Sequence, residues 1–232
     1  MDWTAFGLSL KLAFWTCLLL IPASVWLARW LAWSPSPTKP LVEALLMLPL
    51  VLPPTVLGYY LLAGLAPTSL IGGVIGNLAG RPLVFTFPGI LLASLIVNLP
   101  FAVQPMQRAF ENVEHSLREA AWVSGLSRFE TFRRVELPLA WPGIASALAL
   151  VFAHTLGEFG VILMVGGSIP GETQTLSIAI YDRMQAFRNA EAAAMAAALL
   201  AFSFGAIAVV HLAALRERHM RGRHVRSEGP PR

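Results

Sequence analysis

The stretch Glu119-Ala120-Ala121-Trp122-Val123-Ser124-Gly125, continued by Val135-Glu136-Leu137-Pro138, is a charged interruption in an otherwise oily chain. From Arg108 to Glu136 the interruption carries five arginines (Arg108, Arg118, Arg128, Arg133, Arg134) and five glutamates (Glu111, Glu114, Glu119, Glu130, Glu136). Charge at this density predicts a segment in water, between blocks that lie in lipid. Two helix starts are written into it. Ser116 followed by Glu119, and Ser127 followed by Glu130, both have the capping-box spacing, in which a serine oxygen and a glutamate carboxylate satisfy the free N–H groups of a new helix. Gly125 falls between them, where a left-handed residue ends one helix and turns the chain into the next. The expectation is two short helices joined at a glycine elbow.

On either side the composition belongs to a bilayer: 56% of the 232 residues are hydrophobic and 13% are charged, with a mean hydropathy of +0.64. A spanning helix needs about 20 apolar residues to cross roughly 30 Å of hydrocarbon. Five blocks qualify, over about 12–31, 44–65, 83–107, 139–163 and 192–215, and their continuous apolar runs predict helices rather than the alternating strands of a barrel. The fold class is therefore an all-α integral membrane protein of five spans, or six if the segment after the fourth block is inserted. There, Leu176, Ile180, Met184 and Phe187 form an apolar stripe opposite Asp182, Gln185 and Asn189, the pattern of a short amphipathic helix at an interface.

Orientation follows from the basic residues. Arg29 ends the first block and Lys39 follows it, five arginines follow the third, and Arg216, Arg218, Arg221, Arg223, Arg226 and Arg232 follow the fifth. These regions share one side if every block spans, and the positive-inside rule makes it the cytoplasm, with the N-terminus outside and 216–232 a basic cytoplasmic tail. Prolines punctuate the spans: Pro49, Pro53 and Pro54 in the second, Pro88, Pro100 and Pro105 in the third. Each frees a carbonyl, so kinked helices packed on neighbours are expected. Gly72, Gly76 and Gly80 recur every four residues in the outer loop, a spacing that fits either helix contact or a flexible or re-entrant segment.

The motifs of catalysis are missing from the sequence. Its two lysines, Lys11 and Lys39, follow no glycine, so no phosphate-binding loop of the Gly-Lys-Ser/Thr kind is expected. No His-Glu-x-x-His, Gly-x-Ser-x-Gly or cysteine cluster occurs, and the single Cys17 lies within the first block. No catalytic residue, metal site or nucleic-acid partner is expected. One intramembrane acid stands out, Glu158 in His154-Thr155-Leu156-Gly157-Glu158-Phe159-Gly160. Such an acid faces protein or water, and Thr155, Gly157, Glu158 and Gly160 are candidates for the translocation path or for subunit packing.

The pattern Glu-Ala-Ala, three residues, Gly, nine residues, an aliphatic residue, one residue, Leu-Pro resembles the cytoplasmic loop of ABC importer membrane subunits. Glu119, Ala120, Ala121, Gly125, Leu137 and Pro138 match it at every spacing, with Val135 in the place of isoleucine. Leu156-Gly157-Glu158-Phe159-Gly160, Ile169-Pro170-Gly171 and Thr173-Gln174-Thr175-Leu176 look like the molybdate branch of the oxyanion importers, and the Leu-Gly-Glu-aromatic-Gly core is shared with sulfate permeases. The resemblance spans about 6–213, the expected transmembrane domain. It implies a permease subunit of a bacterial cytoplasmic-membrane importer for molybdate, with sulfate or tungstate as alternatives. It also implies a homodimer, a cytoplasmic ATPase subunit that binds ATP and Mg, an extracytoplasmic molybdate-binding protein, and coupling through 108–138. An ion-coupled secondary transporter is the reading from another class, and the coupling loop argues against it.

Overall fold

Residue 2 sets the first helix. Asp2 accepts a hydrogen bond from the Ala5 N–H at 3.1 Å, closing the N-terminus of α1, Trp3–Trp33, a 31-residue helix that Ser34 and Pro35 end. The computed structural model describes the backbone of residues 1–227 and the side chains through Val209, apart from Ala79. Among the described residues the chain is helical throughout, with no strand. After α1 come α2 (Lys39–Val51), α3 (Pro54–Leu65), α4 (Leu70–Ala79), α5 (Phe87–Glu111), α6 (His115–Val123), α7 (Arg128–Thr131), α8 (Leu137–Gly157), α9 (Gly160–Gly166), α10 (Leu176–Gln185) and α11 (Asn189–Ser227). A π-turn, Phe132–Glu136, joins α7 to α8.

Among the described residues four helices are long and apolar enough to cross a membrane, or five if the bent pair α2 and α3 counts as one span. That pair meets at 111°, at Leu52-Pro53-Pro54, because two successive prolines supply no N–H to continue the ladder. The expected fourth span, 139–163, is not one helix. It starts earlier, since α7, the π-turn and α8 run continuously over Arg128–Gly157, and it breaks at Glu158, whose extended backbone (φ −64°, ψ 130°) separates α8 from α9. The π-turn has a local cause: Pro138 lacks the N–H that an α-helix would aim at the Arg134 carbonyl, and the Leu137 N–H bonds instead to the Phe132 carbonyl, five residues back.

Other expectations are revised by packing. The stretch 70–79 is a helix, capped by the Ser69 hydroxyl on the Gly72 N–H and closed by Gly80 at φ +69°. α10 forms where the amphipathic pattern put it, but its buried residues are Leu176, Ile178 and Ala179. Met184 and Phe187 are exposed, Phe187 beyond the helix end at φ +57°. At ten residues α10 is too short to span. α11 leans on the bundle by one side only, and the side chains beyond Val209, which include every arginine of the expected basic tail, lie outside the described residues.

α5 is the axle of the bundle, flanked by α1 and α8. Towards the elbow, Val25, Ala28 and Leu31 of α1 pack with Val103, Met106 and Phe110 of α5 and Ile144 and Ala147 of α8. Towards the other end, Ile90, Ala93 and Val97 of α5 pack with Leu57 of α3 and Val161, Ile162 and Val165 of α9. Between the two apolar layers runs a polar thread. Thr16 and Ser94 share a hydrogen bond at 2.9 Å, the Asn98 amide donates to the Ser94 carbonyl at 2.8 Å, and Asn98 Oδ1 meets His154 Nδ1 at 3.1 Å. In lipid such bonds hold helices where apolar burial gives little drive, each contributing about 0.6 kcal/mol on average. Asn98→Ala cuts the thread between α5 and α8 and is expected to lower stability by about 1 kcal/mol. Equilibrium unfolding of the protein in mixed micelles checks this.

Candidate functional site

The elbow is built as a helix stop followed by a capped helix start. α6 ends in a Schellman motif: the Leu126 N–H donates to the Ala121 carbonyl and the Gly125 N–H to the Trp122 carbonyl, both at 3.0 Å. Gly125 sits at φ +84°, and nothing lies within 4 Å of where its Cβ would be, so backbone conformation and not crowding calls for glycine here. The chain then restarts through a complete capping box. Ser127 Oγ accepts the Glu130 N–H at 3.2 Å, and Glu130 Oε2 accepts the Ser127 N–H at 3.0 Å. The Ser127 backbone and hydroxyl hold the Glu130 carboxyl below its usual range. With its folded value lowered, this cap contributes above the ordinary carboxylate range and is lost as pH falls through that lowered value.

The first expected capping box does not form. α6 starts two residues early, at His115 with Glu114 in the N-cap position, and no side chain caps it. Ser116 donates to the Glu114 carboxylate, and Glu119 pairs with His115 at 3.1 Å. Of the matched residues, Glu119 and Ala120 are exposed, Ala121 is buried, Val135 lies half-buried in the π-turn, and Leu137 and Pro138 open α8. Leu117, Trp122, Val123 and Phe129 are exposed on the same elbow, Val123 at 89%. Apolar side chains displayed beside charged ones form a surface suited to a protein partner.

Glu136 overturns the expectation that the whole charged segment lies in water. Its side chain is fully buried. Arg29 of α1 reaches it with Nε at 2.6 Å from Oε2 and Nη2 at 3.3 Å from Oε1, and Arg118 of α6 donates through Nε to Oε1 at 3.0 Å. The Arg118 guanidinium lies 3.8 Å from the centroid of the Trp33 ring, Arg29 lies 5.5 Å from that of Phe132, and Trp26 stacks on Phe132. The signal available in the sequence was positional: an acid beside Leu137-Pro138, where an apolar block begins, and a lone arginine at the end of the first block.

A second cluster forms where the broken helices meet. Glu158 Oε1 accepts the Val161 N–H at 3.1 Å, within the first turn of α9, while Oε2 is 3.7 Å from His154 Nε2. Thr155 is buried and donates back to the Val151 carbonyl at 2.7 Å. Gly160 abuts the elbow between α2 and α3, since a Cβ there would stand 2.9 Å from Pro54 Cβ. Gly58 meets Met164 of α9 in the same way, whereas Gly157 has open space around it. Both Pro54 and Gly160 are first residues of their helices, so the structure brings two helix starts together at the breaks. Among the described residues no group of three or more metal-ligating side chains is found.

Comparison with known proteins agrees with this architecture. The family model for the binding-protein-dependent transport system inner membrane component matches residues 21–222. The chain is 44% identical over 203 residues to the molybdenum transport system permease protein of Azotobacter vinelandii, covering 88% of this chain and 90% of that one. It is also 35% identical over 174 residues to a probable sulfate transport system permease protein of Chlorella vulgaris, covering 75% of this chain and 64% of that one. A bacterial alginate ABC transporter, solved in complex with its alginate pentasaccharide-bound periplasmic protein, shares the fold at a TM-score of 0.73 and 19% identity, over 89% of this chain and 76% of that one. A spanning-helix bundle with a glycine elbow, matched over most of its length, places the chain in the family of binding-protein-dependent transport system inner membrane components.

Proposed function

We propose that this chain is the permease subunit of an ATP-driven molybdate importer of a bacterial cytoplasmic membrane. The observation that carries the substrate is the 44% identity to a molybdenum permease over nine-tenths of that protein's length. Sulfate is the second reading, favoured by the 35% identity to a sulfate permease but over only 64% of that longer chain. In this reading 6–213 form the transmembrane domain and 216–232 a basic cytoplasmic tail. The elbow, with Glu119, Ala120, Ala121 and Gly125 at its turn and Val135, Leu137 and Pro138 behind it, docks on a separate ATPase that binds ATP and Mg. One elbow per chain, set against a pair of ATPase subunits, calls for two copies of the chain with the path on their two-fold axis. The periplasmic partner of the alginate transporter supports an extracytoplasmic binding protein as the third component.

The chemistry of the task fits the residues. Moving a dianion into an inside-negative cell costs about 4.6 kcal/mol per 100 mV, at roughly 2.3 kcal/mol per charge, so an energy source is required. Closure of the ATPase pair moves the two elbows and opens the path outwards; hydrolysis and product release reset it. Between Lys11 and Arg29 in α1, and throughout α3 and α8, there is no lysine or arginine. A path without fixed cations, lined by hydroxyls and backbone N–H groups, binds the oxyanion weakly enough to release it. Selectivity then rests with the binding protein.

Four measurements bear on this. Reporter fusions at Ser127 are expected to be active only on the cytoplasmic side, and a reporter active only outside contradicts the orientation. Gly125→Val is expected to abolish coupled uptake or ATPase assembly, because a β-branched residue resists φ +84°, at roughly 1–2 kcal/mol. Gly160→Val should likewise block uptake by colliding with Pro54, while Gly157→Ala, with open space around it, retains uptake. In vesicles holding the chain and its ATPase, molybdate uptake with the chain's own binding protein should exceed sulfate uptake; the reverse order would transfer the assignment to sulfate and leave the permease reading intact.

A further inference from the structure

The carboxylate of Glu136 ties together elements that are remote in the chain: Arg29 of α1 lies 107 residues away and Arg118 of α6 lies 18 residues away. We propose that this Arg29–Glu136–Arg118 clamp passes displacement of the elbow to the first spanning helix, so that α1, and not α8 alone, is driven during transport. The inference rests on the reading of the elbow as the ATPase-docking element, and on three features of the joint.

The first is how little else holds α6. Its buried side chains are Arg118 and Ala121, so a push on α6 enters the bundle through Arg118 and through the turn at Gly125. Arg118 meets α1 twice, directly over the Trp33 ring at 3.8 Å and through Glu136, which Arg29 grips with two nitrogens. The second is direction. Glu136 is the last residue of the π-turn, and one extra residue per turn rotates the face that a helix presents by about 100°. The Pro138-induced turn therefore sets which side of the α8 rod the carboxylate faces. The third is chemistry. A buried ion pair is often no more stabilising than an apolar contact of similar volume, but its fork geometry fixes relative orientation. A joint that carries motion needs fixed orientation more than it needs affinity.

The test uses the whole complex: this chain, its ATPase and the molybdate-loaded binding protein, in vesicles, with ATP hydrolysis and molybdate uptake measured together. Arg29→Gln removes the Glu136 link to α1 while leaving Arg118 on Glu136 and over the Trp33 ring. It is expected to assemble and to hydrolyse ATP at the basal rate, with molybdate moved per ATP reduced by at least about fivefold, the low end of coupling between sites. Arg29→Lys keeps the charge without the fork and should fall between that variant and wild type. A clamp that only stabilises would lower yield or melting temperature and leave molybdate per ATP at the wild-type value, which overturns the proposal. If Arg29→Gln does not accumulate, wild-type stoichiometry in Arg29→Lys overturns it equally. Gly125→Val, run in parallel, separates the two readings: normal coupling in that variant removes the elbow reading itself, whereas a defect there beside a fully coupled Arg29→Gln removes only the clamp.

Discussion

A carboxylate with no exposed surface, held by two guanidinium groups, is the constraint on which the elbow end of this bundle depends. Glu136 cannot turn to solvent, so Arg29 and Arg118 must come to it, and with them the end of α1 and the whole of α6. Removing both guanidinium partners would leave Glu136 an uncompensated buried charge, at about 3–5 kcal/mol. The aromatic rings of Trp33, Phe132 and Trp26 pack around the two guanidinium groups. Apolar burial aligns the spans, but burial is non-directional, and this clamp is what gives the elbow an orientation relative to α1 and α8.

The remaining irregularities fall at the ends of the same rod. From Arg128 to Gly157 the chain forms one continuous helical length, with the π-turn near one end and the break at Glu158 at the other. Roughly 30 Å separates Leu137 from Gly157 at 1.5 Å per residue. Glu158 caps α9 beyond the break, and α9 packs through Gly160 on the elbow of α2 and α3. The rod thus links the clamp at one end to the junction of the two broken helices at the other. Under the proposed coupling, this is the geometry that lets a cytoplasmic event act on the middle of the membrane.

Much of this was legible where a residue type has one structural use. Gly125 at φ +84° and the Ser127–Glu130 box follow from the sequence because few other residues satisfy those positions. Pro53-Pro54 announced a kink for the same reason. The Ser116–Glu119 box had equal spacing and failed, because Glu114 and His115 compete locally: Glu114 takes the serine hydroxyl and His115 takes Glu119. Spacing states what a motif can do, while neighbours decide whether it does.

The burial of Glu136 was illegible for a different reason. Counting charge over a window assigns the same environment to ten charged residues, yet two of them, Glu136 and Arg118, are inside and most are out, and for Glu136 the difference lies in partners 107 and 18 residues away. The break at Glu158 was hidden likewise, since 139–163 is apolar almost throughout and a window averages over the one residue whose carboxylate turns to cap the next helix. In both cases an acid at the edge of an apolar block was the observable signal, and in both the acid serves a joint. Placing charge inside a membrane protein is costly, so it persists where no apolar residue can do the same work: at Glu158 that work is capping the start of α9, and at Glu136 it is fixing the angle between α1, α6 and α8.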